Sequence, residues 1–268
     1  MKNIFIRLSF IVILSFLFTG INFGYQKKNI GKDNSFGKFK IKTSTVTYLS
    51  GTDTVSAYLA VPVGKEKFPA LILVHEWWGL TPWMKENADN FAKRGIVALA
   101  IDLYRGKVTS NYKEAAELSS ALPKARAITD LKSAFQYLDK MPQVNKSKIG
   151  SIGWCFGGGY SFQAALNIPE LKACVVCYGS LNYTGNSLKE IHCPILCAFG
   201  DSDKVFPPKV VNDFEKLAKE NSLKTTVKFY PGGQHAFMNP YNKTGYNKSD
   251  AEKAWTDIYS FLNKNLLM

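Results

Sequence analysis

The sequence predicts an α/β protein, with a mostly parallel central sheet, an N-terminal antiparallel hairpin, and helices on both faces. Three observations carry that expectation. Short continuous apolar runs recur along the chain, as in ALILVHE at 70–76, IVALAID at 96–102 and ACVVCYG at 173–179. Amphipathic segments of helical length separate them. Strands that are apolar on both sides belong in a sheet covered on both faces, which is the habit of parallel strands. The 268 residues, 46% of them hydrophobic and 21% charged, are enough for one substantial domain.

The first residues stand apart from that domain. Lys2 and Arg7 precede and flank the apolar run Leu8 to Phe18, and small and turn residues follow. This is the pattern of an export signal, and the run is shorter than the about 20 residues a spanning helix needs. Residues 1–24 are expected to be a signal peptide or N-terminal hydrophobic segment. The protein is then exported, periplasmic or secreted, with no stable membrane span once the segment is cleaved. Residues 25–42 read as a basic flexible lead, in which Lys27, Lys28, Lys32, Lys38, Lys40 and Lys42 face only Asp33. The domain proper is expected over 43–268.

Within it, TSTVTYL (43–49) and TVSAYLAV (54–61) alternate or nearly so around the turn signal Ser50-Gly51-Thr52-Asp53, which predicts a hairpin. The strand at 70–76 leads to a helix near Met84 to Lys93, ended by Gly95 before the strand at 96–102. Pro123 divides two helical segments, 112–121 and 124–139. Next come a strand at 148–154, a helix from the glycines to about Leu166, and strands at 173–179 and 194–200. A helix over 208–220, a strand at 225–230 and a last helix over 250–263 complete the series.

The formal net charge is +13, but the lysines beyond the lead are scattered. No zinc-finger, helix-turn-helix or RNA-recognition pattern accompanies them, so a nucleic-acid partner is not expected. The five cysteines, 155, 174, 177, 193 and 197, fall within 43 residues. Cys174, Cys177 and Cys197 sit in strand-like runs and Cys193 at the edge of one, where core packing is a better reading than a zinc knuckle, which needs turns with converging thiolates.

Cys155 differs. IGSIGWCFGGG puts it between a strand and a glycine-led helix, in the form G-x-nucleophile-x-G. Such a turn exposes the central side chain at a strand's carboxyl end, where parallel sheets bind ligands. A helix start also favours a thiolate. AFGDSDKVFP then places Asp201 and Asp203 after the 194–200 strand, and YPGGQHAF places His235 after the 225–230 strand. Nucleophile, carboxylate, histidine is the α/β-hydrolase order, in which the histidine takes the thiol proton and the carboxylate fixes its tautomer. Of the two aspartates we take Asp203, farther along the loop in G-x-x-D, although propensity alone does not separate them.

HEWWG at 75–79, DLYRG at 102–106, GWCFGG at 153–158, GDSDKVFP at 200–207 and GGQHAF at 232–237 together resemble the dienelactone hydrolase (carboxymethylenebutenolidase-like) family of the α/β-hydrolase superfamily, over roughly residues 44–266. The resemblance implies a triad of Cys155, Asp203 and His235. It implies that Glu76 contacts the resting thiol and controls its activation, and that the Trp77 and Phe156 N–H groups form an oxyanion hole. Arg105 matches the position that holds the carboxylate of a dienelactone. The second arginine of that clamp is replaced here by Asn239. Trp78 and Trp154, together with Trp77 and Trp83, are candidates to line an apolar substrate pocket, against core packing for each.

The expected reaction is hydrolysis of a small lactone or carboxylic ester through a thioester on Cys155, with water activated through His235. No cofactor or metal is implied, and a monomer is expected. An exported esterase or peptidase of different substrate class keeps the same fold. A non-catalytic binding protein of this fold would be favoured by loss of Cys155, Asp203 or His235, and all three are present.

Overall fold

The computed structural model describes residues 39–183 and 187–268. The expected export segment, 1–24, and the basic lead as far as residue 38 lie outside the described residues. The strands are β1 (Ile41–Ser50), β2 (Asp53–Pro62), β3 (Phe68–Val74), β4 (Val97–Ile101), β5 (Val144–Trp154), β6 (Ala173–Cys177), β7 (Ile195–Gly200) and β8 (Thr225–Tyr230). The helices are α1 (Pro82–Lys93), α2 (Tyr112–Ala121), α3 (Lys124–Lys140), α4 (Phe156–Asn167), α5 (Pro208–Glu220) and α6 (Lys248–Leu262), the last running into a wider turn over Asn263–Leu267.

All eight strands form one sheet in the order β1-β2-β4-β3-β5-β6-β7-β8. β1 and β2 make the expected hairpin, closed at Ser50 and Asp53 by Gly51 with φ 61°. β2 also runs antiparallel to β4, and the remaining pairs are parallel. Structure is present at residues that the lysine-rich composition assigns to the lead. β1 starts at Ile41, and the Phe39 N–H already bonds Lys93 O while its ring packs edge-on against Phe68. Packing of that half-buried ring holds the end of the segment, from residue 39, whose composition reads as a flexible lead.

The continuous apolar runs fill the middle of the sheet. Leu71, Ile72 and Leu73 of β3 are fully buried, each contributing roughly 1.5–3 kcal/mol of hydrophobic stabilisation. Phe91 of α1 meets Trp255 and Tyr259 of α6 on one face, and Phe162 of α4 meets Phe214 of α5 in the other layer. Cys174, Cys177, Cys193 and Cys197 are buried and unpaired, and burial pushes their thiols up, Cys174 to about 11. No helix among the described residues is long and apolar enough to cross a membrane.

Strand order reverses at β3. The chain leaves β3 for β4 on one side and returns to β5 on the other, which opens a crevice at the carboxyl ends of β3 and β5. β3 stops at Val74, two residues short of the apolar run, so His75 and Glu76 turn into that crevice. At its other wall, α4 starts so close to β3 that a Cβ on Gly157 would collide with the carbonyl oxygens of Val74 and His75.

Both neighbours of Gly157 are backbone and cannot swing aside. Gly157→Ala should therefore lower the unfolding free energy by about 3 kcal/mol in urea titration. A midpoint equal to wild type would show that this contact does not set the helix position.

Candidate active site

Cys155 is the residue between β5 and α4, and its backbone stands at φ 54°, ψ −118°. A side chain at positive φ costs of order 1–3 kcal/mol and persists only where the surroundings enforce it. Here the enforcement is visible. Gly153 and Gly157 approach backbone to backbone, Gly158 abuts Cys177 O and Gly179, and the Cys155 N–H bonds Cys177 O at 3.0 Å. The turn leaves the thiol partly exposed at the crevice.

His235 follows β8, in a loop that Asn242 holds by donating its Nδ2 to His235 O at 3.0 Å. His235 Nε2 lies 3.1 Å from Cys155 Sγ, and Nδ1 lies 2.9 Å from Asp203 Oδ2. Because the carboxylate can only accept, Nδ1 carries a proton and Nε2 faces the sulfur. Asp203 is buried, and its other oxygen accepts the Val205 and Phe206 N–H groups at 2.7 and 3.0 Å. Asp201 is exposed and turned elsewhere, accepting from Gly232 N and Ser202 Oγ. Gly200 and Gly233 touch without room for a Cβ, which holds the aspartate and histidine loops together. The rings of Tyr178 and Phe206 wall the imidazole at 5.5 and 5.8 Å. Burial alone would lower the His235 pKa, but the Asp203 and Cys155 contacts raise it to about 10.

Glu76 is buried at the end of β3, and Asn239 Nδ2 donates to its Oε2 at 2.6 Å. The orientation of that amide is set by its oxygen, which accepts the Tyr241 N–H. Burial raises the Glu76 pKa to about 7, against the opposing effects of Asn239, His235 and Tyr178. The contact with the resting thiol implied by the family resemblance is not formed: the sulfur faces His235, Asn239 holds one carboxylate oxygen, and the other makes no hydrogen bond among the described residues.

His75, which sequence reasoning passed over, fixes the neighbouring peptide. Leu103 N–H donates to its Nε2 at 3.2 Å, so its Nδ1 carries the proton and donates to Glu76 O at 2.6 Å. Burial lowers its pKa and keeps it neutral. Holding the Glu76 carbonyl also holds the Trp77 N–H of the same planar peptide, on the opposite side. Among the described residues, neither the Trp77 N–H nor the Phe156 N–H has an acceptor. Both are open to a ligand oxygen.

Three of the substrate-binding expectations are altered. Trp154 is fully buried, with Trp83 and Trp255 at 5.6 and 5.9 Å. The pleat of β5 turns it into the core beneath the sheet although it precedes Cys155 in sequence. Trp83 is core as well, set in the first turn of α1 with its ring edge-on to Trp154. Arg105 is committed within the fold: Nε pairs with Asp53, and Nη1 and Nη2 grip buried Asp130 at 2.8 and 3.0 Å. It joins the hairpin to α3, and four of its five N–H groups are used within the fold, Nε on Asp53, Nη1 on Asp130 and the Asp102 carbonyl, and Nη2 on Asp130. Trp78, by contrast, is partly exposed, and with Trp77 and the exposed Tyr112 it forms an aromatic edge of mutually perpendicular rings 5.0–5.8 Å apart.

Comparison with known proteins bears on the family and the fold. The sequence profile described as "Dienelactone hydrolase family" matches residues 55–266. Protein usf of Aquifex pyrophilus is 32% identical over 221 residues, which cover 79% of this chain and 94% of that protein. A dienelactone hydrolase-like promiscuous phosphotriesterase from metagenomic libraries has a TM-score of 0.77 at 22% identity, over 84% of this chain and 98% of its own. The dienelactone hydrolase of Anabaena variabilis has a TM-score of 0.63 at 19% identity, over 84% and 99%. At such identities the two structures support the fold alone.

Two outcomes are expected from these contacts. Arg105→Gln should lower stability by about 2–3 kcal/mol, a partly exposed guanidinium being discounted from a fully buried pair, while leaving the KM of a neutral ester unchanged. A raised KM would return Arg105 to the substrate. Folding lifts the His235 pKa from 6.5 to about 10, so its stabilisation is complete below pH 6.5 and is lost as the pH rises towards 10. Urea unfolding between pH 6 and 10 should show that decline, and Asp203→Asn should flatten it; an unchanged slope would assign it to other groups.

Proposed function

The chain belongs to the dienelactone hydrolase family, and from that premise we infer that it hydrolyses a lactone or carboxylic ester through a thioester on Cys155. The observation that carries this reading is the continuous line of contacts from Cys155 Sγ through His235 to Asp203, at 3.1 and 2.9 Å. His235, made basic by Asp203, takes the thiol proton, and the sulfur attacks the carbonyl carbon. The developing oxyanion is received by the Trp77 and Phe156 N–H groups, which sit at the end of β3 and the start of α4. Collapse expels the alkoxide or enolate, which takes its proton from solvent while His235 keeps the one it received from the thiol, and water then cleaves the thioester.

The carboxylate clamp is not part of this reading. Arg105 is bound to Asp53 and Asp130, and position 239 carries an asparagine bound to Glu76. The aromatic edge of Trp77, Trp78 and Tyr112 suits an uncharged substrate better than an anionic one.

Hydrolysis of p-nitrophenyl acetate and of a dienelactone by wild type and Cys155→Ala tests the reading. The variant should lose activity by about 10³-fold or more, with wild type faster on the neutral ester. Equal rates for the two proteins would end the cysteine mechanism.

A further inference from the structure

Beside the line of Cys155, His235 and Asp203 lie two buried polar atoms that it does not use. Glu76 is 3% exposed and Tyr178 0%, yet neither Glu76 Oε1 nor Tyr178 Oη has a hydrogen-bond partner among the described residues. Leaving such atoms unpaired costs about 1–3 kcal/mol each, so they call for an occupant that can both donate and accept. The two are neighbours, the phenol near enough to favour the ionised carboxylate without closing a hydrogen bond to it. Tyr178 is also held in an unusual conformation. It follows β6 with φ 39°, its N–H is fixed on Ala198 O, and its ring stands edge-on to His235 at 5.5 Å and to Phe237 at 5.7 Å. The preceding carbonyl, Cys177 O, accepts the Cys155 N–H, and the phenol, whose pKa burial raises first, is near enough to Glu76 and Cys155 for both to raise it further.

We propose that Glu76 Oε1 and Tyr178 Oη together hold the water that hydrolyses the thioester, with Glu76 as its general base and Tyr178 as the residue that positions it. The proposal rests on the covalent reading above and assigns to Glu76 the step first expected of His235. In the acyl-enzyme His235 still carries the proton it took from the thiol, with Nδ1 held by Asp203, so it has no free nitrogen to take a proton from water. It is well suited instead to receiving the departing thiolate. In the step itself, the water oxygen bonds to the thioester carbon while one of its protons passes to Glu76. The carbon–sulfur bond then breaks, its electron pair returns to Sγ beside protonated His235, and the carboxylic acid departs. Glu76 returns its proton to solvent. The titratable groups that face Glu76 are His235, Tyr178 and Cys177, and its second oxygen is held by the neutral amide of Asn239. Its pKa of about 7 means that deacylation should speed up as the pH rises through neutrality.

Pre-steady-state hydrolysis of p-nitrophenyl acetate separates the two half-reactions. Glu76→Gln can still accept from Asn239, and Tyr178→Phe keeps the ring. In both variants the p-nitrophenol burst should form at the wild-type rate while the steady-state rate falls, about 10²-fold for E76Q and about tenfold for Y178F. Intact mass should then find acetyl-enzyme accumulated on Cys155, and the rise of wild-type kcat through pH 7 should be absent from E76Q. The burst amplitude counts intact sites, so a poorly folded variant is corrected for directly, and Y178F stands in if E76Q yields none. A burst that slows in step with turnover, or turnover unchanged in both variants, overturns the assignment and leaves the cysteine mechanism standing. Wild-type hydrolysis with no acetyl-enzyme, and equal in Cys155→Ala, removes the covalent reading and this proposal with it.

Discussion

The start of α4 meets the ends of β3 and β6 backbone against backbone, with no room for a side chain at Gly157 or Gly158. The rest of the site depends on that closeness. A helix begun so near two strands leaves no ordinary conformation for the residue at the corner, so Cys155 is held at positive φ. Its sulfur is thereby raised towards the loops after β7 and β8, and the first helical N–H, that of Phe156, is left without an intrahelical acceptor. The strain at Cys155 and the open donor beside it are two results of one packing constraint.

Two buried carboxylates flank the imidazole, and their surroundings give them different tasks. Asp203 has two backbone N–H donors on one oxygen and His235 on the other, so its acceptor positions are filled by groups that fix the loop and the ring. Glu76 has one neutral donor and a bare oxygen, and burial brings its ionisation close to neutrality. One carboxylate is an anchor; the other is poised to exchange a proton. Both stand at strand ends, where a parallel sheet gathers side chains that are far apart in sequence.

Much of this was legible before any coordinates. The apolar runs and the alternating hairpin segments located the strands, although β5 starts at Val144 rather than 148, and the helices over 112–121 and 208–220 fell where the pattern put them, because burial leaves a periodic mark on the sequence. The glycines around Cys155 and the chain order of Asp203 and His235 were readable too. Each residue needs a strand end to serve it, and strand ends are local features. The roles of Arg105 and Trp154 were not readable. Arg105 is spent on Asp53 and Asp130, 52 and 25 residues away, and Trp154 is turned from the crevice by the pleat of β5. Tyr178 left one usable clue, its place just past the strand ACVVC, but nothing local marks its hydroxyl as unpaired.

The sequence by itself determined the sheet, its helices, and that Cys155 and His235 could form a line with an aspartate from the loop holding Asp201 and Asp203. These follow from periodicity, turn chemistry and order along the chain. Only the tertiary structure decided which ionisable groups are already paired within the fold and which are left bare beside the thiol. Pairing depends on distances between segments remote in sequence, and burial then decides how much an unpaired polar atom costs. In this protein that difference takes Arg105 out of the site and brings Tyr178 into it.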